Sequence, residues 1–210
     1  LQPRARFNET LTSRHFYVPG VIAVIVMLVT LLLTSMSVVR EKEMGTMEQI
    51  VVTPITPLEF ILGKTMPSII LGFVNMIFVT LISVFWFDIP VRGSIITLFV
   101  ANGFYLMTTI GIGLIISTLS ETQQQAMMST FFFYLPAVLL SGFMFPIANM
   151  PEVVQAVTYL NPLRYFLVII RGIFLKGVGV AILWPQIMAL LILGILVLTL
   201  AVKKFRKNLA

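Results

Sequence analysis

Five long stretches without a charged residue or a histidine dominate this sequence. They cover residues 18–39, 66–87, 94–119, 126–147 and 181–202, and each has at least 22 residues. A helix of 22 residues is about 33 Å long, enough to cross a hydrocarbon core of about 30 Å. The pattern therefore predicts an all-α integral membrane protein, a polytopic helical bundle with about five transmembrane helices.

The composition supports the same class. Of 210 residues, 59% are hydrophobic and only 10% are charged, whereas soluble domains carry about 25% charged residues. The net charge of +6 is thinly spread apart from a basic knot at 203–207, which favours anionic lipid headgroups over nucleic acid as a partner. The absence of cysteine excludes disulfides and thiol sites, and the single His15 argues against a histidine metal site.

The stretch from Arg40 to Lys64 is the longest polar interval between two apolar runs, and it holds four of the eight acidic residues. Thr46–Gln49 and Thr56–Glu59 both fit the capping-box pattern of a helix start. The sequence therefore predicts a short helix near Met47–Val52, a break, and a second helix that begins near Pro57 and runs into the membrane.

The predicted short helix would be amphipathic, because Met47, Ile50 and Val51 recur at the spacing of one helical face. Two interpretations remain open. The helix lies passively in the membrane interface, or it docks onto a soluble partner and passes force into the bundle.

Two further segments do not read as spans. Residues 1–17 are polar and have no apolar face, which indicates a loop or the end of a missing domain. Residues 148–180 contain a helix start at Asn149–Glu152, a break at Asn161–Pro162, and Arg164 and Arg171 on one face. This pattern predicts two half-helices that dip back into the membrane edge, where irregular backbone must be buried or line a cavity.

Five spans place the two ends of the chain on opposite sides of the membrane. The positive-inside rule favours a cytoplasmic C-terminus, which would put residues 40–64 inside and residues 1–17 and 148–180 outside. Basic residues at Arg4, Arg6 and Arg14 oppose this orientation, so charge alone does not settle it.

The sequence contains no motif that indicates catalysis by this chain. Ionisable residues inside spans mark proton relays and ion paths, and their absence from all five spans argues against a proton-coupled carrier, a voltage sensor and an intramembrane hydrolase. Gly63-Lys64-Thr65 ends like a phosphate-binding loop, but the pattern requires glycine where Leu58 stands. If the chain transports a substrate uphill, the energy must come from elsewhere.

The polar interval, REKEMGTMEQIVVTPITPLEFILGK, resembles the first cytoplasmic loop of type-2 ABC exporter permeases, and most closely the bacterial multidrug-type permeases. Further resemblances follow in the family's order at Ser120–Ala126, Leu139–Gly142, Pro146, Asn149–Pro151, Asn161–Tyr165 and Leu175–Lys176. Residues 1–17 resemble the end of the family's extracytoplasmic domain. The resemblance thus implies that residues 18–210 are the C-terminal permease domain, carrying spans two to six.

The resemblance also implies partners. The permease would dimerise with itself or with a sister permease and pair with ATP-binding subunits that hold ATP and Mg, while this chain holds no cofactor. A periplasmic adaptor protein and membrane lipids complete the expected partners. The expected location is the bacterial cell inner membrane.

The resemblance assigns roles to three groups of residues. The residues expected to couple to the ATPase are Glu41, Glu43, Gly45, Thr46, Met47, Glu48, Ile50 and Val51, with the short helix as the coupling helix. An outer gate is expected at Pro146, Asn161, Pro162 and Arg164. A substrate path is expected at Phe131, Phe132, Tyr134 and Met144, although ordinary helix packing also explains these four side chains.

Three functions are therefore compared. The strongest is a membrane permease of an ABC exporter. A non-transporting anchor or assembly factor would not need a capped helix between spans, and a channel or secondary carrier is disfavoured by the uncharged spans. Co-purification of an ATPase subunit separates the first function from the others, and ion conductance of the purified chain would favour the last.

Overall fold

The computed structural model describes residues 13–46 and 57–209, and all regular structure in these two ranges is helical. Seven α-helices are described: α1 (Ser13–Glu43), α2 (Pro57–Phe85), α3 (Ile95–Leu119), α4 (Gln123–Leu139), α5 (Glu152–Thr158), α6 (Pro162–Arg171) and α7 (Val180–Leu209). A 3-10 turn at Ile147–Asn149 precedes α5, and a π-helical turn at Gly172–Lys176 extends α6. The prediction of an all-helical membrane fold is confirmed.

Four of these helices, α1, α2, α3 and α7, are long and apolar enough to cross a membrane. The pair α5–α6, bent by 80°, would bring the count to five if it formed one broken span. Helix α4 has 17 residues, which corresponds to about 25 Å.

Contacts between distant residues identify one end of the bundle, which we call the Arg171 end. The backbone N–H of Gly93, in the α2–α3 turn, donates to the carbonyl of Ile173 over 2.9 Å. The Arg171 guanidinium donates to the carbonyl of Gly142, just after α4, over 3.1 Å. The end of α2, the start of α3 and the ends of α4 and α6 therefore lie together.

The opposite end of the bundle, which we call the Lys42 end, is defined in the same way. The Lys42 ammonium at the end of α1 donates to the carbonyl of Thr118 at the end of α3, over 2.8 Å. Phe60, at the start of α2, stacks on Phe205 near the end of α7, with ring centroids 5.6 Å apart. The long helices therefore run alternately between the two ends.

The bent pair α5–α6 stays near the Arg171 end. At the bend, the side-chain amide of Asn161 donates to the carbonyl of Ala137 in the last turn of α4, over 2.6 Å. Helix α5 has seven residues, which is about 10 Å, so its start cannot reach the Lys42 end. Both ends of the pair therefore lie in the same half of the bundle, as the prediction of two half-helices requires.

Helices α1 and α3 form the centre of the bundle. Tyr105 of α3 is fully buried, stacks on Phe166 of α6 with centroids 4.3 Å apart, and donates its hydroxyl to the carbonyl of Ala23 over 3.1 Å. Small residues allow the helices to approach closely. A Cβ on Gly111 would lie 3.1 Å from the backbone nitrogen of Leu198 in α7.

The serine and threonine residues of the first span bond within their own helix or pack against a neighbouring one. The hydroxyls of Thr30, Ser35 and Ser37 donate to carbonyls of their own helix. Thr34 instead packs against Gly113, where an added Cβ would come within 2.8 Å of the Thr34 Cβ. Thr30, Ser35 and Ser37 therefore bond within their own helix, and Thr34 packs against a neighbouring one.

Two predicted boundaries differ from the structure. Helix α1 begins at Ser13, five residues before the predicted start of the first span, and the assignment of residues 1–17 to the end of a missing domain stays a prediction. Helix α4 ends at Leu139, eight residues before the predicted end of the fourth span. The reason is local: the Ser141 hydroxyl donates a hydrogen bond to the carbonyl of Val138 over 2.6 Å, and Gly142 adopts a left-handed conformation with φ +82°.

Candidate functional site

Three consecutive residues at the end of α1, Glu41, Lys42 and Glu43, contact three different neighbours. Lys42 donates to the carbonyls of Thr118 over 2.8 Å and Ser120 over 3.4 Å. The last carbonyls of a helix lack partners within it and carry partial negative charge. Lys42 therefore caps the C-terminus of α3, and its half-buried ammonium is satisfied there.

Glu41 faces α2. Its carboxylate forms an ion pair with Lys64 and also accepts a hydrogen bond from the Thr46 hydroxyl. The pair is only partly exposed, so it is screened less than a surface ion pair would be. Glu41 thus fixes the end of α1 to the first turns of α2.

Glu43 faces α4. Its carboxylate accepts a hydrogen bond from the backbone N–H of Gln123 over 3.3 Å and from the side-chain amide of the same residue over 2.7 Å. Gln123 is the first residue of α4, and a negative charge at a helix N-terminus is stabilising. We call the Glu41–Lys42–Glu43 triplet with its partners the Lys42 node.

The chain leaves the Lys42 node through a glycine-dependent cap. Gly45 has φ +72°, a left-handed conformation that costs other L-residues about 1–2 kcal/mol. Its N–H donates to the carbonyl of Lys42 over 3.1 Å, and the N–H of Thr46 donates to the carbonyl of Glu41 over 3.1 Å. This pair of bonds is a Schellman motif, so Gly45 ends α1 and sets the direction in which the chain continues.

The structure therefore brings together four of the residues predicted to couple to an ATPase, namely Glu41, Glu43, Gly45 and Thr46. Both carboxylates have partners within the chain, and their predicted contact with an ATP-binding subunit stays a prediction. The other four residues, Met47, Glu48, Ile50 and Val51, lie outside the described residues, as does the predicted coupling helix.

A cavity of about 820 Å³ lies between α1 and α2 beside the Lys42 node. Its lining is apolar towards the middle of the bundle, with Leu33, Met36 and Leu71, and charged at the end, with Arg40 and Lys64. The cavity is therefore amphipathic along its length.

A second cavity, of about 340 Å³, lies between α4 and α5 and is almost wholly apolar. Phe132 lines it and is 83% exposed. Of the other residues predicted for a substrate path, Tyr134 packs against the core, Phe131 is half-exposed, and Met144 lies in the connection after α4. Of the four residues, only Phe132 lines this cavity, and the predicted substrate path stays a prediction.

Asn161 is the best-defined residue of the predicted outer gate. Its Oδ1 accepts the N–H of Leu163 over 3.1 Å as the N-cap of α6, and its Nδ2 donates to Ala137 on α4. Pro162 follows as the first helical residue, where its missing N–H costs nothing. Asn161 therefore both starts α6 and fastens it to α4.

Arg164 closes the bend between α5 and α6. Its guanidinium lies over the ring of Tyr159, 4.0 Å from the centroid, and donates to the hydroxyl of Thr158 and the carbonyl of Gln155. The remaining predicted gate residue, Pro146, is exposed ahead of the 3-10 turn. Three of the four predicted gate residues thus hold the bend itself.

Sequence reasoning missed two positions that join distant parts of the chain. Lys42 and Arg171 were not among the predicted site residues, although each fixes one end of the bundle. Their acceptors are backbone carbonyls 76 and 29 residues away. Every residue has a backbone carbonyl, so the sequence does not indicate which one will accept. The only available signal was a basic residue in the last turn of a helix.

The described residues contain no group of three or more His, Cys, Asp or Glu side chains that could hold a metal ion. What the arrangement offers is a polar node with an amphipathic cavity beside it at one end, and a bend fixed by hydrogen bonds with an apolar cavity beside it at the other.

A family model described as ABC-2 family transporter protein matches residues 1–203. Two probable multidrug ABC transporter permeases of Escherichia coli K12 are similar: YbhR, 36% identical over 96% of this chain and 55% of its own length, and YbhS, 37% identical over 100% and 56%. ABC transporter G family member 20 of Dictyostelium discoideum is 25% identical over 92% of this chain and 27% of its own. The chain spans about half the length of the bacterial relatives.

Proposed function

The chain belongs to the ABC-2 transporter family, and from that membership we propose that it is the membrane-spanning part of an ABC exporter permease. The exporter would move drugs or other amphipathic compounds out of the cell by alternating access. The names of the bacterial relatives, which refer to multidrug permeases, support this substrate class. The amphipathic cavity between α1 and α2 is compatible with it.

The proposed complex contains a second permease copy or a sister permease and ATP-binding subunits that hold ATP and Mg. This chain would contribute no catalytic group, and hydrolysis would take place on the partner. The proposed location is the bacterial inner membrane, with the Lys42 end in the cytoplasm and the Arg171 end outside. A periplasmic adaptor protein would dock from outside.

The observation that carries the proposal is the Lys42 node. A push on residues 40–64 by closing ATP-binding subunits would act on a point that is bonded to α2, α3 and α4 at once. Such a point converts a local displacement into a rigid-body tilt of helices, one of the usual routes of conformational switching.

The test uses the full-length parent protein in membranes with its candidate ATP-binding subunit. Glu48→Arg and Gly45→Pro are introduced separately, and co-purification of the ATP-binding subunit and ATP-dependent efflux of a fluorescent amphiphile are measured. Both should be lost in both variants while membrane insertion stays normal. Unchanged co-purification and efflux would contradict the proposal and favour an anchor or assembly factor. Ion conductance without the ATP-binding subunit would favour a channel or carrier.

A further inference from the structure

Within the triplet Glu41–Lys42–Glu43, the charges of Lys42 and Glu43 are complementary to the helix ends that these two residues contact. Successive residues of an α-helix point about 100° apart, so three in a row can reach three neighbours. The cation, Lys42, meets carbonyls at the C-terminus of α3, and the anion, Glu43, meets an N–H at the N-terminus of α4. Each charge therefore has the sign that the helix end favours.

The triplet forms hydrogen bonds on both sides of a very short turn. Only three residues, Ser120 to Thr122, separate α3 from α4, so holding both sides of the turn holds both helices. The backbone N–H of Val39, one turn earlier in α1, also donates to the Ser117 hydroxyl over 3.0 Å. The junction of α1 with the α3–α4 turn is thus bonded at three successive levels.

We propose that Lys42 is the positioning residue that carries movement of residues 40–64 into the α3–α4 turn, so that the ends of α2, α3 and α4 move with α1 as one unit. This inference rests on the proposed function and adds to it the route by which force enters the bundle. Helix α7 would follow α2 through the stacked rings of Phe60 and Phe205.

The first arm of the test measures the link itself. This chain has no cysteine, so once any cysteines outside it are replaced, spin labels can be placed at the exposed positions Met44 and Gln124 of the full-length protein in lipid nanodiscs. The distance distribution should be narrow in the unaltered protein and in Lys42→Arg, and broader or shifted in Lys42→Met, which keeps the apolar stem but loses the donor. Lys176→Met, at the Arg171 end, is the matched control and should leave the distribution narrow.

The second arm measures coupling in the complex with the ATP-binding subunit. In Lys42→Met, efflux per ATP hydrolysed should fall about two- to thirtyfold, the range that mutations along a coupling network produce. Hydrolysis and co-purification should persist, and Lys42→Arg should restore coupling. A merely structural role would instead lower the amount of assembled complex and leave efflux per ATP unchanged.

A charge-swapped variant, Lys42→Glu with Glu43→Lys, keeps the composition and net charge but presents the wrong sign to both helix ends. It should uncouple at least as strongly as Lys42→Met. Suppose that the unaltered complex is active but Lys42→Met leaves the label distance or the efflux per ATP unchanged. That result would overturn this inference and leave the proposed function standing. Absence of ATP-driven efflux in the unaltered complex would refute the proposed function instead.

Discussion

Asn161 shows how much a single polar residue can fix in an apolar bundle. It is largely buried, and its amide serves two structures at once, as N-cap of α6 and as donor to α4. In a membrane, lost hydrogen bonds cannot be replaced by water. The stability of the bend between α5 and α6 therefore depends on the Asn161 side chain and on the Arg164 contacts beside it.

We expect Asn161→Ala to destabilise the protein by about 1–3 kcal/mol, since it removes an N-cap and leaves a buried carbonyl without its donor. Asn161→Asp should cost no less, because it keeps the capping oxygen but turns a charged carboxylate oxygen towards the Ala137 carbonyl at a largely buried site. The measurement is reversible unfolding of the full-length protein in mixed micelles. Asn149→Ala, at an exposed site, is the control, and equal stability of the Asn149 and Asn161 variants would contradict the assignment.

At the scale of elements, the sequence predicted the first three spans and the last because long uncharged runs are sufficient to locate them. It did not predict the end of α4, since Ser141 and Gly142 stop the helix within an uncharged run. The break at Asn161–Pro162 was predictable, because an N-cap followed by proline is a local signal. The links made by Lys42 and Arg171 were not, because their partners are distant carbonyls.

Close packing of α3 against α7 leads to a second prediction. Gly111→Ala would press a methyl group against Val197 and the backbone nitrogen of Leu198, and a backbone cannot give way as a side chain can. We expect a loss of about 1–3 kcal/mol in unfolding free energy. Gly63→Ala, at a helical site with nothing within 4 Å, should be neutral or stabilising, because alanine has the higher helix propensity. The reverse order of the two variants would refute the close contact.

The bent pair α5–α6 leads to a third prediction, which concerns topology. Cysteines introduced at Ala148 and Gly179, the two exposed flanks of the pair, should react with a membrane-impermeant maleimide from the same side. A cysteine at Glu121, in the α3–α4 turn, should react only from the other side. Labelling of Ala148 and Gly179 from opposite sides would show that the pair crosses the membrane as a broken span.

The whole molecule has two unlike ends. At the Lys42 end, the three-residue α3–α4 turn and charged contacts join α1 to α2, α3 and α4, whereas the Arg171 end carries the connection after α4 and the apolar cavity beside α5. Helices α1 and α3 are the most buried spans, and α2 and α7 leave most of their surface to lipid or to other subunits. This division suits a bundle that is driven at one end and opens at the other.

The central claim is that an ATP-binding subunit docks at the Lys42 end, and site-directed cross-linking tests it most directly. Any cysteines outside this chain are first replaced in the full-length protein, and single cysteines are placed at Met47, Glu48 and, as a control at the Arg171 end, Val153. Met47 and Glu48 should cross-link to the ATP-binding subunit with a yield that ATP changes, and Val153 should not. Cross-links from Val153 alone, or equal yields from all three positions, would contradict the account.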